Sequence, residues 1–296
     1  MSHPHPNSHR SERAPIFKEP TFLMCSPKLY DVNYVINPWM AGNVSRASRQ
    51  QAAAQWEDLR HALNQVARVM LVEPQPGWPD MVFTANAGLV RKGVVAISRF
   101  FHPERQGEES HFRKWFADLG FKVCDMPAAT PFEGEGDALF EADGSRLWAG
   151  HGVRTMQSTH HRLEQLWDLE VISLRLVDPR FYHLDTCFCP LRDGYLLYFP
   201  AAFDAESNAK IELRYPEELR IPVGVVDALR FACNAINVGR LIVLNQVSTA
   251  LSQRLEECGF QVVQVRLTEF LKAGGAAKCL ALRLSEMDAT HSIRAA

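Results

Sequence analysis

Phe132-Glu133-Gly134-Glu135-Gly136-Asp137 is an acidic, glycine-punctuated turn that runs straight into a hairpin pattern, with Ala138-Leu139-Phe140 and Arg146-Leu147-Trp148-Ala149 flanking Asp143-Gly144. A helical pattern from Met156 to Trp167 and a strand pattern from Glu170 to Val177 follow. The order is strand, strand, helix, strand. Working outward, it recurs in both directions. Upstream, the turn Phe83-Thr84-Ala85-Asn86 lies in a strand-like run, Met81 to Val90, that pairs with Val94 to Phe100 around Arg91-Lys92-Gly93. A helix from Glu108 to Leu119, stopped by Gly120, and the strand Phe121-Lys122-Val123 complete that unit. Downstream, Phe181-Tyr182-His183-Leu184-Asp185-Thr186 opens a hairpin around Asp193-Gly194, with a weaker helical signal at Ala205 to Leu213. Leu241 to Leu244, Ser248 to Cys258 and Phe260 to Val265 read as strand, helix and strand. At the start of the chain the reading is strand Phe22 to Ser26, strand-like Val32 to Asn37, helix from about Arg46 to Val69, and strand Met70-Leu71-Val72.

The polar residue at which each unit turns into its hairpin marks the period. The marks are Asn37, Asn86, Asp137, Asp185, Asn234 and Cys279, at intervals of 49, 51, 48, 49 and 45 residues. Asn234 is the softest of them, since Asn237 serves equally well. Five intervals predict a closed ring in which the last strand joins the first unit: an α/β fold, a five-bladed α/β propeller of ββαβ units. It is expected to occupy residues 21–285 as one domain, between polar tails at 1–20 and 286–296. Closure hides the sheet edges and aims one turn of each blade at a shared axis.

Composition narrows the partners. A chain of 296 residues, 47% hydrophobic and 22% charged, can bury a large core. A formal net charge of −2 and the lack of a basic cluster argue against nucleic acid, and no apolar run is long enough to span a bilayer. The N-terminal stretch is polar and proline-rich without an apolar core, unlike a secretion signal. His3, His5 and His9 could bind a metal only weakly there, and a disordered tail is the expectation. Seven scattered cysteines suit a reducing compartment, so a cytoplasmic protein is expected. Cys187 and Cys189 lack a second pair at zinc spacing and are expected to share a buried strand face. Neither metal nor cofactor is expected.

If the marked turns converge, they gather a thiol (Cys279, after the Gly274-Gly275 turn), an imidazole (His183) and the carboxyl groups of Glu133, Glu135, Asp137 and Asp185. A thiol beside an imidazole is an activation pair in which the thiolate is the working form. Flanking carboxylates suit a planar guanidinium, which they meet through paired hydrogen bonds and which in turn lowers the pKa of a nearby thiol. Each residue also has an ordinary reading: a buried structural cysteine, a core histidine paired with an aspartate, a solvated acidic loop, a plain turn asparagine. Their shared placement at the repeat period is what the ordinary readings leave unexplained.

From Phe22 to Leu284 the chain resembles the guanidino-group-modifying superfamily of arginine deiminases, dimethylarginine dimethylaminohydrolases, amidinotransferases and arginine dihydrolases. The resemblance rests on the acidic loop Glu133 to Asp137, on His183-Leu184-Asp185, and on Gly274-Gly275 ahead of Cys279. It implies the pentein fold, a five-bladed propeller, and cofactor-free hydrolysis of a small guanidino substrate. It also implies roles: Cys279 as nucleophile, His183 as acid and then base, Glu133 to orient His183. Asp137 and Asp185 would hold the guanidinium nitrogens or support the groups that do. Arg105 would take the substrate α-carboxylate, with Asn37 helping at that end. Two departures stand out. Asn86, in Phe83-Thr84-Ala85-Asn86, replaces the usual acid, and the loop Glu-Gly-Glu-Gly-Asp is one residue longer than usual. Both are most similar to arginine dihydrolases, as is Tyr34-Val35-Ile36-Asn37-Pro38-Trp39-Met40; Thr84-Ala85-Asn86-Ala87 is also similar to succinylarginine dihydrolases. The expected reaction converts arginine to ornithine, CO2 and two ammonia. The alternatives are a deiminase or dimethylargininase giving citrulline, and a non-catalytic propeller like the ribosome-binding anti-association factors, which would not need Cys279, His183 and Glu133 together. Homo-oligomerisation is left open.

Overall fold

The structure, a computed structural model, describes residues 15–285. Among the described residues there are five three-stranded sheets. One blade holds strands Gly88–Arg91, Val94–Ile97 and Lys122–Cys124, and the next holds Ala138–Phe140, Arg146–His151 and Glu170–Arg175. Then come Phe188–Pro190, Leu196–Tyr198 and Arg220–Pro222, followed by Ile236–Val238, Leu241–Leu244 and Gln261–Gln264. In each, the first two strands pair antiparallel and the third, reached through a helix, pairs parallel with the second. The fifth blade is assembled from both ends of the chain. Thr21–Cys25 pairs parallel with Arg68–Val72 and antiparallel with Leu282–Arg283, so the last strand closes the ring on the first unit. The five-bladed propeller read from the period is the fold observed.

The outer helices are built by local rules. Ser48, Asp204 and Ser248 cap the helices Arg49–Asn64, Ala205–Arg214 and Thr249–Glu257, each accepting a backbone N–H from three residues on, worth about 1 kcal/mol apiece. Phe112 and Phe116, one turn apart on the helix Glu108–Asp118, are fully buried against their sheet, and such burial contributes roughly 2–3 kcal/mol per ring. Cys187 and Cys189 are both buried, but Cys187 stands ahead of the strand Phe188–Pro190 and Phe188 between them is buried as well, so they do not share an alternating strand face.

Three other expectations fail for identifiable reasons. Val32 to Asn37 is not a strand but a series of bends and turns. The free edge of Thr21–Cys25 is already taken by Leu282–Arg283, and Asn37 Oδ1 accepts the N–H groups of Trp39 and Met40 (2.9 and 3.1 Å) in place of a ladder. Met81 to Ala87 is likewise not strand. It forms two short 3-10 turns, Pro79–Val82 and Thr84–Ala87, and the strand begins at Gly88. Its polar groups bond to the neighbouring blade instead: Thr84 Oγ1 donates to the carbonyls of Leu23 and Leu280 (2.8 and 3.0 Å), and Ala85 N–H to that of Cys279 (3.1 Å). Finally, the tail does not extend to residue 20. Phe17 packs on Phe121 at 6.1 Å, and Arg68 N–H donates to Pro20 O at 2.8 Å. Residues 1–14, with His3, His5 and His9, and residues 286–296 lie outside the described residues. No helix among the described residues is long and apolar enough to cross a membrane.

Candidate active site

The marked turns do meet. Asn37, Asn86, His183 and Cys279 line one pocket together with Arg105, Arg154 and Asp80. Cys279 sits on a tight turn three residues before the last strand. Gly274 ends the turn that precedes it. Its φ is +81°, and a side chain there would meet the Tyr182 hydroxyl at 2.7 Å. That hydroxyl donates to the Gly274 carbonyl at 2.7 Å, tying the nucleophile loop to the residue before His183.

The imidazole is held by a carboxylate. His183 Nε2 and Glu133 Oε2 are 2.6 Å apart, and both residues are buried. Glu133 has no freedom left. Oε1 accepts Phe101 N–H (3.1 Å), Oε2 also accepts Arg154 Nη1 (3.2 Å), and its backbone N–H donates to Thr155 Oγ1 (3.1 Å). Burial alone would raise its pKa, but the Arg154 guanidinium, the His183 bond and Arg105 outweigh burial and hold it well below the usual carboxylate range.

The sulfur sits among opposing influences. Cys279 Sγ lies 3.4 Å from Asp185 Oδ2 and 3.0 Å from Asn234 Nδ2. Burial and then the Asp185 carboxylate push the thiol well above its ordinary pKa, so the ligand-free protein carries the thiol. Asp185 is itself raised to about 7, chiefly by burial and despite Lys278, Cys279 and Asn234. Its Oδ1 is buried without a hydrogen-bond partner, as is Asp80 Oδ1 in the pocket wall. Buried acceptors of this kind are costly, and a donor-rich cation satisfies them.

Several of the residues expected to bind substrate already hold hydrogen bonds within the protein. Both oxygens of Asp137 are taken, Oδ1 by Leu184 N–H (3.0 Å) and Oδ2 by Thr155 Oγ1 (2.7 Å). These bonds brace the turn that carries His183 and Asp185. Arg105 lines the pocket, but four of its five N–H groups are committed: Nε and Nη2 to Glu108 (2.9 and 2.8 Å), Nη2 also to Asp80 O (3.1 Å), Nη1 to Asn86 Oδ1 (2.9 Å). Asn37 is a clamp, donating to Ala273 O at 2.9 Å while its oxygen holds residues 39 and 40. Glu135, from the same acidic loop, turns away to bond Lys278 Nζ at 2.7 Å. Asn86 is buried with its Nδ2 3.3 Å from Glu133 O; Gly136 is required beside it, since a Cβ there would come within 2.2 Å of that nitrogen.

Three pocket or thiol neighbours were not singled out by sequence. Asp80 and Arg154 stand off the repeat marks and gave no signal. Asn234 did carry one, its place in the period, but only as a marker of the repeat.

Fold and site together define a guanidino-group-modifying propeller, with a thiol, a carboxylate-held imidazole and the unsatisfied Asp80 oxygen in one pocket. Residues 28–285 match the family described as N,N dimethylarginine dimethylhydrolase, eukaryotic, and the chain belongs to it. It is 57% identical over 264 residues to the bifunctional arginine dihydrolase/ornithine cyclodeaminase ArgZ of Synechocystis sp., across 89% of this chain and 37% of that protein. It is 56% identical over 265 residues to the bifunctional enzyme AgrE of Nostoc sp., across 90% of this chain and 38% of that protein. The chain thus spans little more than a third of those two relatives. It is 38% identical over 264 residues to N(G),N(G)-dimethylarginine dimethylaminohydrolase of Mycobacterium tuberculosis, covering 89% of this chain and 85% of that one. The crystal structure of the N-terminal domain of ArgZ bound to substrate superposes with a TM-score of 0.90 at 56% identity, covering 90% of this chain and 99% of that domain.

Proposed function

We propose that the protein is an arginine dihydrolase that converts arginine and two waters to ornithine, CO2 and two ammonia by covalent catalysis at Cys279. The observation that carries this is the Asp185 carboxylate, 3.4 Å from the Cys279 sulfur and with one buried oxygen unsatisfied, in a protein that also holds His183 on Glu133 at the same pocket. A guanidinium supplies donors to Asp185 and Asp80, and its charge favours loss of the Cys279 proton. The thiolate adds to the guanidinium carbon. His183, oriented by Glu133, protonates the departing ammonia through its other nitrogen and then activates water on the thioether intermediate. The α-carboxylate goes to Arg154, which has more uncommitted N–H groups than Arg105, with the remaining Arg105 N–H in support.

Asn86 determines that the chemistry happens twice. Arg105 binds its oxygen, which leaves the NH2 end as the donor. An aspartate there grips only a cation, whereas an amide donor also holds the neutral carbonyl oxygen of a citrulline-like intermediate for a second hydrolysis. The competing reading, dimethylargininase, is favoured by the family match. Incubation with arginine, dimethylarginine and succinylarginine separates them. Ornithine with two ammonia per arginine is expected; citrulline with one ammonia, or turnover confined to a methylated or succinylated substrate, removes the dihydrolase assignment.

A further inference from the structure

We propose that Asn234 is the residue that holds the Cys279 sulfur and stabilises its thiolate form, donating one amide hydrogen to it while its carbonyl fixes the nucleophile loop. The inference rests on the cysteine chemistry proposed above. Its geometry is fully determined. Asn234 Oδ1 accepts two backbone N–H groups, those of Ala276 and Cys279, both at 3.1 Å. Backbone N–H groups only donate, so the oxygen end must face them and the NH2 end must face the sulfur, with no ambiguity of amide orientation. Nδ2 then lies 3.0 Å from Cys279 Sγ and 3.2 Å from Asp185 O. All four hydrogen-bonding positions of one buried side chain are used, and each serves the nucleophile, its loop, or the turn that carries Asp185.

The need for such a donor is visible around the sulfur. The charged side chain nearest to it is the Asp185 carboxylate, which opposes a thiolate. Lys278, the adjacent residue, directs its ammonium to Glu135 and the Ala281 carbonyl. Tyr182 gives its hydroxyl hydrogen to the Gly274 carbonyl. Among these side chains the Asn234 amide is the one whose N–H reaches Sγ. An N–H donor favours the thiolate over the thiol. Asn234 also lies outside the residues lining the substrate pocket, so its contribution falls on the reacting atom and not on substrate affinity.

Asn234→Asp tests this with little change of shape. Its one oxygen keeps both backbone N–H groups and so keeps the loop, while the other places a carboxylate where the donor stood. The measurement is the pH dependence of iodoacetamide alkylation at Cys279 alone, followed by peptide mass spectrometry, with arginine kcat and KM alongside. The Cys279 titration is expected to move up by about one pH unit or more, which is about tenfold slower alkylation at any pH below it. The kcat is expected to fall by about a hundredfold with KM within about threefold. Should Asn234→Asp fail to fold, Asn234→Ala is read the same way, by thiol titration and with the same upward direction. A folded variant whose Cys279 titration stays within about 0.3 pH units of the parent overturns the proposal. Alkylation needs no turnover, so a parent protein inactive on arginine would defeat the dihydrolase assignment and leave the Asn234 reading intact.

Discussion

Asp137 and Asp185 mark the turns of successive blades, 48 residues apart and both fully buried, Asp137 at the end of its short 3-10 turn and Asp185 in the middle of its own. They share a residue type, a period and an environment, yet one is consumed by the protein and the other is left open. Asp137 accepts from Leu184 N–H and Thr155 Oγ1 and is raised by burial to about 6. Asp185 faces the sulfur with one oxygen, has no partner for the other, and is raised to about 7. A repeat supplies similar turns, and the neighbours of each carboxyl group decide whether it becomes a brace or a binding group. Thr155 exists only beside the first, and Cys279 only beside the second.

The largest consequence is expected in turnover. Asp185→Asn removes the anion that a guanidinium would neutralise, and loss of one partner of a buried pair costs about 4 kcal/mol, so kcat/KM for arginine should fall by roughly a thousandfold. Its melting temperature should stay level or rise, because an unsatisfied buried carboxylate has been removed. A large fall in stability would mean that Asp185, too, is a brace. Asp137→Ala should show the reverse weighting. Two donors are stranded in the core, at about 3 kcal/mol in total, which lowers the melting temperature by roughly 5–10 °C. Activity should then drop only as far as the turn carrying His183 is loosened, and a stable variant lacking turnover would place Asp137 on the substrate.

pH separates the two aspartates further. Both carboxyl groups are raised by burial, so the folded state holds protons that the unfolded chain has released. Stability of the ligand-free protein is therefore full below the ordinary carboxylate range, about pH 4, and declines as pH rises through about 6–7. Binding runs the other way, since a cation needs Asp185 ionised. In Cys279→Ala, arginine affinity measured by calorimetry should weaken about tenfold between pH 8 and 6, and Asp185→Asn should flatten that profile while Asp137→Asn leaves it. The smallest expected effect is at the mark of the preceding blade. Asn86→Asp should move ammonia released per arginine from about two toward one, with citrulline accumulating, because a carboxylate has no donor for the neutral intermediate. Unchanged ornithine output would take that role away from Asn86.

The sequence alone carried a great deal of this. The period of the polar turns, the hairpin and helix patterns between them and the seam at Cys279 were legible because β alternation, helical spacing and turn chemistry are local properties of the chain. The Glu133–His183 pair was legible through the family resemblance, since its members stand just ahead of the marks Asp137 and Asp185. What only the tertiary structure decided is which polar group answers which. Asp137 is closed and Asp185 open, Arg105 is neutralised by Glu108, Arg154 and Asp80 join the pocket from outside the period, and Asn234 reaches the sulfur from 45 residues away. A run of residues fixes how many donors and acceptors each turn presents. Their pairing depends on distances across a closed ring of five blades, and those distances exist only once the last strand has joined the first.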